Sequence, residues 1–340
     1  MTTRLPVRHL KRPLFARALK EAKREIARFA ELLGRIPNPG QVLFTLKALE
    51  SMAAIESQRV HLAFEEFCLL LWTRSRAKKD SLQLLDYYQA LERACADIAT
   101  KPLNQKMLCT IQRLVIQSEK RKASRGHYRT KQNWLGPKGC KKEEAYFFPP
   151  PPQQVPRAMR HLLAYCQKKT RNPLVQIATA FAQLLIIHPF MDGNGRTARL
   201  FAPLFLFKKG VLPCPLLFMS RYLKDHRKTY FQKLFGITEK HHWEKWINFF
   251  LKGVAQQSKK STRLASRLHI LYERLRKELG EKEDFLSYLF AHPIFSVADF
   301  TQRYSTGLLK QLVNEHIVKL FRRHYAAFSP LLKLIEELLL

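Results

Sequence analysis

Between Leu174 and Ile187 the apolar side chains Leu174, Ile177, Ala178, Phe181, Leu184 and Leu185 return at helical spacing, which predicts a buried amphipathic helix. His188 follows at its end, and Pro189 stops the helix, because the residue before a proline is pushed out of the helical region. A second helical pattern runs from Thr197 to Lys209, kinked at Pro203 and closed by Gly210. Farther along, Leu264 to Leu279 reads as a charged linking helix. Leu331, Leu334, Ile335 and Leu338 place a final helix over 330–340 that docks on the body or on a second subunit. Strand signals are few. Two short aromatic-rich arms around a Gly/Lys-rich centre, between Tyr128 and Phe148, predict a hairpin with a free edge that can pair with an extended segment. The pattern as a whole predicts a mainly α chain.

The junction between the first two helices carries the chemistry. It reads His188-Pro189-Phe190-Met191-Asp192-Gly193-Asn194-Gly195-Arg196-Thr197-Ala198-Arg199. A neutral imidazole at a helix end can act as a general base. Gly193-Asn194-Gly195 can adopt positive φ and present backbone amides to an anion, and the following helix adds the positive end of its dipole. Arg196 and Arg199 share one helix face and can clamp further phosphate oxygens, while Asp192 is a hard-oxygen ligand suited to Mg²⁺. Taken singly, each feature has a plain structural explanation. Together at this spacing they point to nucleotide chemistry.

The stretch resembles the signature of the Fic family, His-Pro-Phe-x-Asp-Gly-Asn-Gly-Arg-x-x-Arg, at every fixed position. The resemblance extends over roughly residues 15–265, taking in the hairpin flap, Phe147-Phe148-Pro149-Pro150-Pro151-Pro152, and Tyr222, Arg227, Tyr230, Phe231, Trp243, Trp246, Phe249, Phe250 and Gly253. It implies a mainly α Fic-type helical bundle with a β-hairpin flap, followed by a small α+β winged-helix-like C-terminal domain. The implied divisions are an N-terminal helical region at 1–110, a catalytic core at 111–263 with its flap around 128–148, and a linker helix with the C-terminal domain at 264–340. The implied activity is protein adenylyltransferase, moving AMP from ATP to a Ser, Thr or Tyr hydroxyl of a target protein. His188 would be the base and Asp192 the Mg²⁺ ligand. Phe190, Gly193, Asn194, Gly195, Arg196 and Arg199 would form the nucleotide site, with Arg196 on the β-phosphate and Arg199 on the γ-phosphate. Leu46 to Ser57 resembles the family's inhibitory helix, around 46–60, which makes Glu56 an inhibitory carboxylate that pairs with Arg199. Met52 and Ser57 depart from the family pattern there. The same glutamate opens an alternative, removal of AMP by a water that Glu56 positions. A second alternative is a DNA-binding regulator with a Fic sensor core, because 285–313 resembles the winged helix-turn-helix often appended to the family, although the turn around Ser305 and Thr306 is short.

Composition narrows these readings. A formal net charge of +33 over 340 residues predicts attraction to polyanions, including nucleic acid, with strong salt dependence. One basic cluster is Lys120, Arg121, Lys122, Arg125 and Arg129, and another is Lys138, Lys141 and Lys142. The six cysteines contain no CxxC pair, which argues against a zinc site and for a reducing compartment. No apolar run reaches transmembrane length. The expectation is a cytoplasmic homodimer without an integral membrane segment, delivered into a host cell or nucleus if it comes from an intracellular bacterium.

Overall fold

The computed structural model describes residues 7, 10–36, 39–56, 62–73, 79–119, 124–136, 141–279, 283–322 and 324–339. The helices are α1 (Ala16–Arg35), α2 (Gly40–Glu56), α3 (Phe64–Trp72), α4 (Lys79–Thr100), α5 (Gln105–Val115), α6 (Val155–Gln167), α7 (Pro173–Ile187), α8 (Asn194–Lys208), α9 (Ser220–Asp225), α10 (Arg227–Lys240), α11 (Trp243–Leu279) and α12 (Glu283–Ala291). There follow β1 (Ile294–Ser296), α13 (Val297–Arg303), α14 (Thr306–Asn314), β2 (Val318–Phe321), β3 (Tyr325–Phe328) and α15 (Ser329–Leu339). The chain groups into two units, one of residues 1–30 and 86–259 and the other of 31–85 and 260–340, with boundaries inside α1, α4 and α11.

The first unit is organised around α7. Sequence periodicity predicts a buried helix here, and every residue from Ile177 to Ile187 is buried, not only those of its apolar stripe. A helix apolar all round sits in the middle of a bundle rather than on its surface. Helices α6 and α8 pack on α7, and α5 packs on α8. Phe181 of α7 stacks on Trp246 with centroids 6.2 Å apart and meets Phe250 at 5.3 Å, and the Trp246 indole donates to the Ala178 carbonyl at 2.7 Å. That hydrogen bond satisfies the polar edge of a fully buried indole. Gly253 lets α11 approach closely, since a Cβ there would lie 2.5 Å from Tyr222 Cδ1 and 2.7 Å from Met219 Cε.

In the second unit, β1, β3 and β2 form an antiparallel sheet in that order, with Ile294 opposite Ala327 and Val318 opposite Phe328. Two helices, α13 and α14, stand between β1 and the β2–β3 hairpin, so the small α+β C-terminal fold expected from sequence is present. Ser296 caps α13 by accepting from Asp299 N–H, and Ser305 caps α14 by accepting from Leu308 N–H at 3.0 Å. Each cap satisfies an amide that has no intrahelical acceptor. Phe300 packs against Phe295 and Tyr288, and Phe290 packs against Phe328. Helix α15 covers β3 and α3, and the Trp72 indole donates to Ile294 O at 2.7 Å. Among the described residues no helix is long and apolar enough to cross a membrane.

Candidate active site

The site forms where α7 ends and α8 begins. His188 is the C-cap of α7 in the left-handed region (φ 49°), and its N–H closes the last turn on Leu184 O. Its ring Nδ1 lies 3.2 Å from Leu185 O. A carbonyl can only accept, so Nδ1 carries the proton and Nε2 keeps its lone pair. Burial pulls the imidazole pKa down to about 4; the Leu185 carbonyl opposes this, Arg129 reinforces it, and Asp192 opposes it. At neutral pH the ring is therefore an uncharged acceptor.

Arg129 holds this corner in place. Sequence puts it in a basic cluster beside the flap, but the guanidinium is buried among backbone carbonyls. Its Nε donates to His188 O at 2.8 Å, and Nη2 donates to Pro150 O at 2.5 Å and to Ile187 O at 3.4 Å. Its own N–H donates to Pro189 O at 2.8 Å. Pro189 and the left-handed turn leave the Ile187 and His188 carbonyls without helical donors, and one planar fork serves both of them together with Pro150 O.

The loop is equally committed. Asn194 is buried, and its amide makes a reciprocal pair with the Phe190 backbone: Phe190 N–H donates to Oδ1 at 2.9 Å, and Nδ2 donates to Phe190 O at 2.8 Å. Phe190 O also accepts from Asn133 Nδ2 at 3.1 Å, and the fully buried Phe190 ring meets Tyr128 with centroids 5.6 Å apart. Gly193 has φ 78°, and a Cβ there would lie 2.8 Å from Ile116 Cγ2, so both the backbone angle and the space require glycine. Its N–H donates to Asp192 Oδ1 at 2.5 Å. Gln112 of α5 joins the loop to the segment before the flap, donating to Asp192 O at 3.0 Å and accepting from Gly126 N–H at 2.6 Å.

Helix α8 starts at Asn194, three residues before the sequence-based expectation, because Gly193 in the left-handed region serves as its N-cap. The Gly193 carbonyl accepts from Thr197 N–H at 2.8 Å. The amides of Asn194, Gly195 and Arg196 precede any intrahelical acceptor and form the positive end of the helix dipole. The two motif arginines part company here. Arg199 Nη1 lies 3.4 Å from where a Gly195 Cβ would be, so that guanidinium folds back over the first turn. Arg196 is only 4% exposed. It donates from Nη1 to Val115 O at 2.8 Å and from Nη2 to Glu119 Oε1 at 2.5 Å, with Asp192 Oδ1 at 3.4 Å from the same Nη2.

In this geometry the polar atoms of Asn194 and Arg196, assigned from sequence to phosphates, make protein contacts. Burial, together with the charge and hydrogen bond of the neighbouring Asp192 carboxyl, holds the Glu119 carboxyl above its ordinary value, against the pull of Arg196. Asp192 is the more exposed of the two carboxylates, at 52%, with Oδ1 already accepting from Gly193 N–H. Among the described residues no group of three or more His, Cys, Asp or Glu side chains is placed to hold a metal alone. A single exposed carboxylate is the hard-oxygen donor type that suits Mg²⁺, an ion that takes only one or two protein carboxylates.

Sequence reasoning missed Gln112 and Glu119 and placed Arg129 in a basic cluster beside the flap rather than behind His188. Nothing in their local pattern marks them, since each acts on the loop from across the fold. Among the described residues of the expected hairpin, one bridge joins Leu135 and Phe147, with Leu135 N–H donating to Phe147 O at 2.9 Å. Trp134, Tyr146 and Phe148 are exposed around it. Glu56 is the last residue of α2, and its side chain lies outside the described residues, as do Ser57, Lys120, Arg121, Lys122 and Lys138.

Residues 102–206 match the Fic/DOC family model. A 44-residue stretch is 46% identical to the protein adenylyltransferase fic-1 of Caenorhabditis elegans, covering 13% of this chain and 9% of that protein. The Caenorhabditis briggsae fic-1 is 45% identical over 42 residues, covering 12% of this chain and 8% of that one. The chain therefore matches less than a tenth of the length of these curated relatives. In fold, the chain is similar to a Fic family protein from Desulfovibrio desulfuricans G20, at 16% identity and TM-score 0.62, covering 94% of this chain and 97% of that one. It is also similar to residues 134–508 of Caenorhabditis elegans Fic-1, at 17% identity and TM-score 0.59, covering 75% and 74%.

Proposed function

We propose that this chain, whose residues 102–206 are a Fic/DOC family domain, is a nucleotidyltransferase that moves AMP from ATP onto a Ser, Thr or Tyr hydroxyl of a target protein. The observation that carries this reading is the neutral His188 ring, its Nδ1 occupied by Leu185 O, at the head of a loop that ends in the α8 amides and Arg199. Nε2 takes the proton of the target hydroxyl as that oxygen attacks the α-phosphorus. A new P–O bond forms, the bond to the bridging oxygen breaks, and pyrophosphate leaves. The α8 amides and Arg199 stabilise the phosphate charge, and Asn194 and Arg129 hold loop and base in register, so the protein's share is positioning and electrostatics. When bound at Asp192, Mg²⁺ would neutralise phosphate charge.

Glu56 is read as a brake, its carboxylate competing with the γ-phosphate for Arg199. The support is the resemblance of Leu46–Ser57 to inhibitory helices and the continuous run of α2 up to Glu56. The same carboxylate is the group that would position water if the enzyme also removes AMP. The test is incubation of wild type, His188→Ala and Glu56→Gly with Mg²⁺ and α-labelled ATP. Label on protein should rise in Glu56→Gly and vanish in His188→Ala. No label in any of the three would overturn the transfer reading, and removal of AMP that survives Glu56→Gly would overturn the hydrolytic role.

A second role has its own observation. Lys310 and Gln311 are exposed on α14, with Lys319 and Arg322 exposed on the β2–β3 hairpin. We read these as phosphate contacts to nucleic acid, which would deliver the enzyme to a target there. Salt-sensitive DNA retention should survive His188→Ala and disappear on truncation after Arg263; retention by the truncated chain would exclude this module as its source.

A further inference from the structure

We propose that Glu119 is a positioning residue of the nucleotide site: it holds the Arg196 guanidinium and so leaves the Asp192 carboxylate available to a divalent cation. The inference rests on the reading of Asp192 as the cation ligand. Two carboxylates compete for one nitrogen. Arg196 Nη2 lies 2.5 Å from Glu119 Oε1 and 3.4 Å from Asp192 Oδ1, so Glu119 has the contact of a full charge-assisted bond and Asp192 does not. Exposure follows the same division: the Glu119 side chain is 16% exposed, that of Asp192 52%.

A guanidinium buried as deeply as that of Arg196 cannot stand without an anion, because an uncompensated buried charge is strongly unfavourable. Apart from Glu119 its contacts are the neutral Val115 carbonyl and Asp192. Removing the charge of Glu119 therefore makes Asp192 the remaining counter-ion. Asp192 is one helical turn before Arg196 and already within ion-pair distance. It would close on the guanidinium, and its negative charge would be withdrawn from the cation. Glu119 also lies within hydrogen-bonding reach of the Asp192 carboxyl, whose like charge opposes its own; it touches neither nucleotide nor target, and its hold on Asp192 is exerted chiefly through Arg196. It follows the last turn of α5, and its backbone carbonyl accepts from Arg125 Nη2, which ties the residue to the segment that leads to Arg129.

The test measures equilibrium ATP binding by calorimetry, with Mn²⁺ and separately with EDTA, in full-length protein carrying His188→Ala to prevent turnover. The readout is the ratio of the two affinities, which isolates the metal-dependent part. Glu119→Gln should lower that ratio about tenfold while leaving affinity in EDTA unchanged, a tenfold change being about 1.4 kcal/mol. Glu119→Asp, which keeps the charge, should retain the wild-type ratio. Glu119→Gln combined with Arg196→Met should restore it, since no guanidinium remains to capture Asp192, and this variant carries no unpaired buried cation that would prevent folding. An equal loss with and without metal would overturn the proposal in favour of a purely structural role, as would an unchanged ratio or a double variant that fails to recover. Asp192→Ala identifies a failure of the underlying reading: if it keeps the wild-type ratio, or if wild type binds no ATP, Asp192 is not the cation ligand and the proposal falls with that assignment.

Discussion

The loop from His188 to Arg199 and the bridge between Leu135 and Phe147 lie in the same unit and are held by opposite means. In the loop, Asn194 closes on the Phe190 backbone, Arg129 gathers several carbonyls and Gly193 fits against Ile116 with no room for a Cβ. At the flap, among the described residues, one bridge joins the two arms, with Trp134, Tyr146 and Phe148 facing solvent. Fixed geometry serves a reaction in which displacement of a base or a phosphate cradle costs rate, whereas an open aromatic surface serves contact with a variable segment. On the proposed function, chemistry belongs to the loop and target choice to the flap.

The comparison can be broken most severely at the base. His188→Ala should lower AMP transfer by about 10²–10⁴-fold with little change in ATP affinity, measured by label transfer and calorimetry. A residual rate near wild type would remove the loop from the chemistry. Next in size is the scaffold. Gly193→Ala should destabilise the protein by about 1–3 kcal/mol through left-handed strain, with a further loss from the contact with Ile116, read as a lowered denaturation midpoint. A wild-type midpoint would mean that the loop is softer than its geometry indicates.

The pH profile sharpens the same side. The His188 pKa is depressed to about 4, so its neutral form persists well below the range of an ordinary histidine. Transfer should hold level as pH falls from 8 to about 5.5 and decline as it passes through about 4. A decline centred near pH 6.5 would mean that the ring is hydrated rather than desolvated. The smallest effect belongs to the flap. Trp134→Ala and Tyr146→Ala should reduce labelling of a target protein by about three- to tenfold, leave ATP binding unchanged, and shift stability by less than about 0.5 kcal/mol. A flap variant that weakened ATP binding would merge the two regions into one site.

Much of the fold is visible in the chain because helical periodicity is local. The apolar run before His188, the stop at Pro189, the turn at Gly193 and the close at Gly210 each concern residues within a turn or two of one another. The same locality explains what was not visible. A helix with one apolar face and a helix buried all round share a pattern when their remaining positions are Ala, Thr and Gln, and α7 proved to be the second kind. The flap arms carried a hairpin pattern, and among the described residues the Leu135–Phe147 bridge joins them.

The sequence by itself determined the junction of two helices, a glycine turn and a histidine–carboxylate–arginine set within twelve residues, because backbone angles and dipoles follow from neighbouring residue types. Only the tertiary structure decided which of those side chains face outward. Asn194 and Arg196 read as phosphate ligands, yet both point into the protein. Their surroundings come from far along the chain: Glu119 is 77 residues before Arg196, Gln112 is 80 before Asp192, and Arg129 is 59 before His188. A buried polar group finds its partner by packing rather than by spacing, and packing is settled only when α5, α7 and α8 come together.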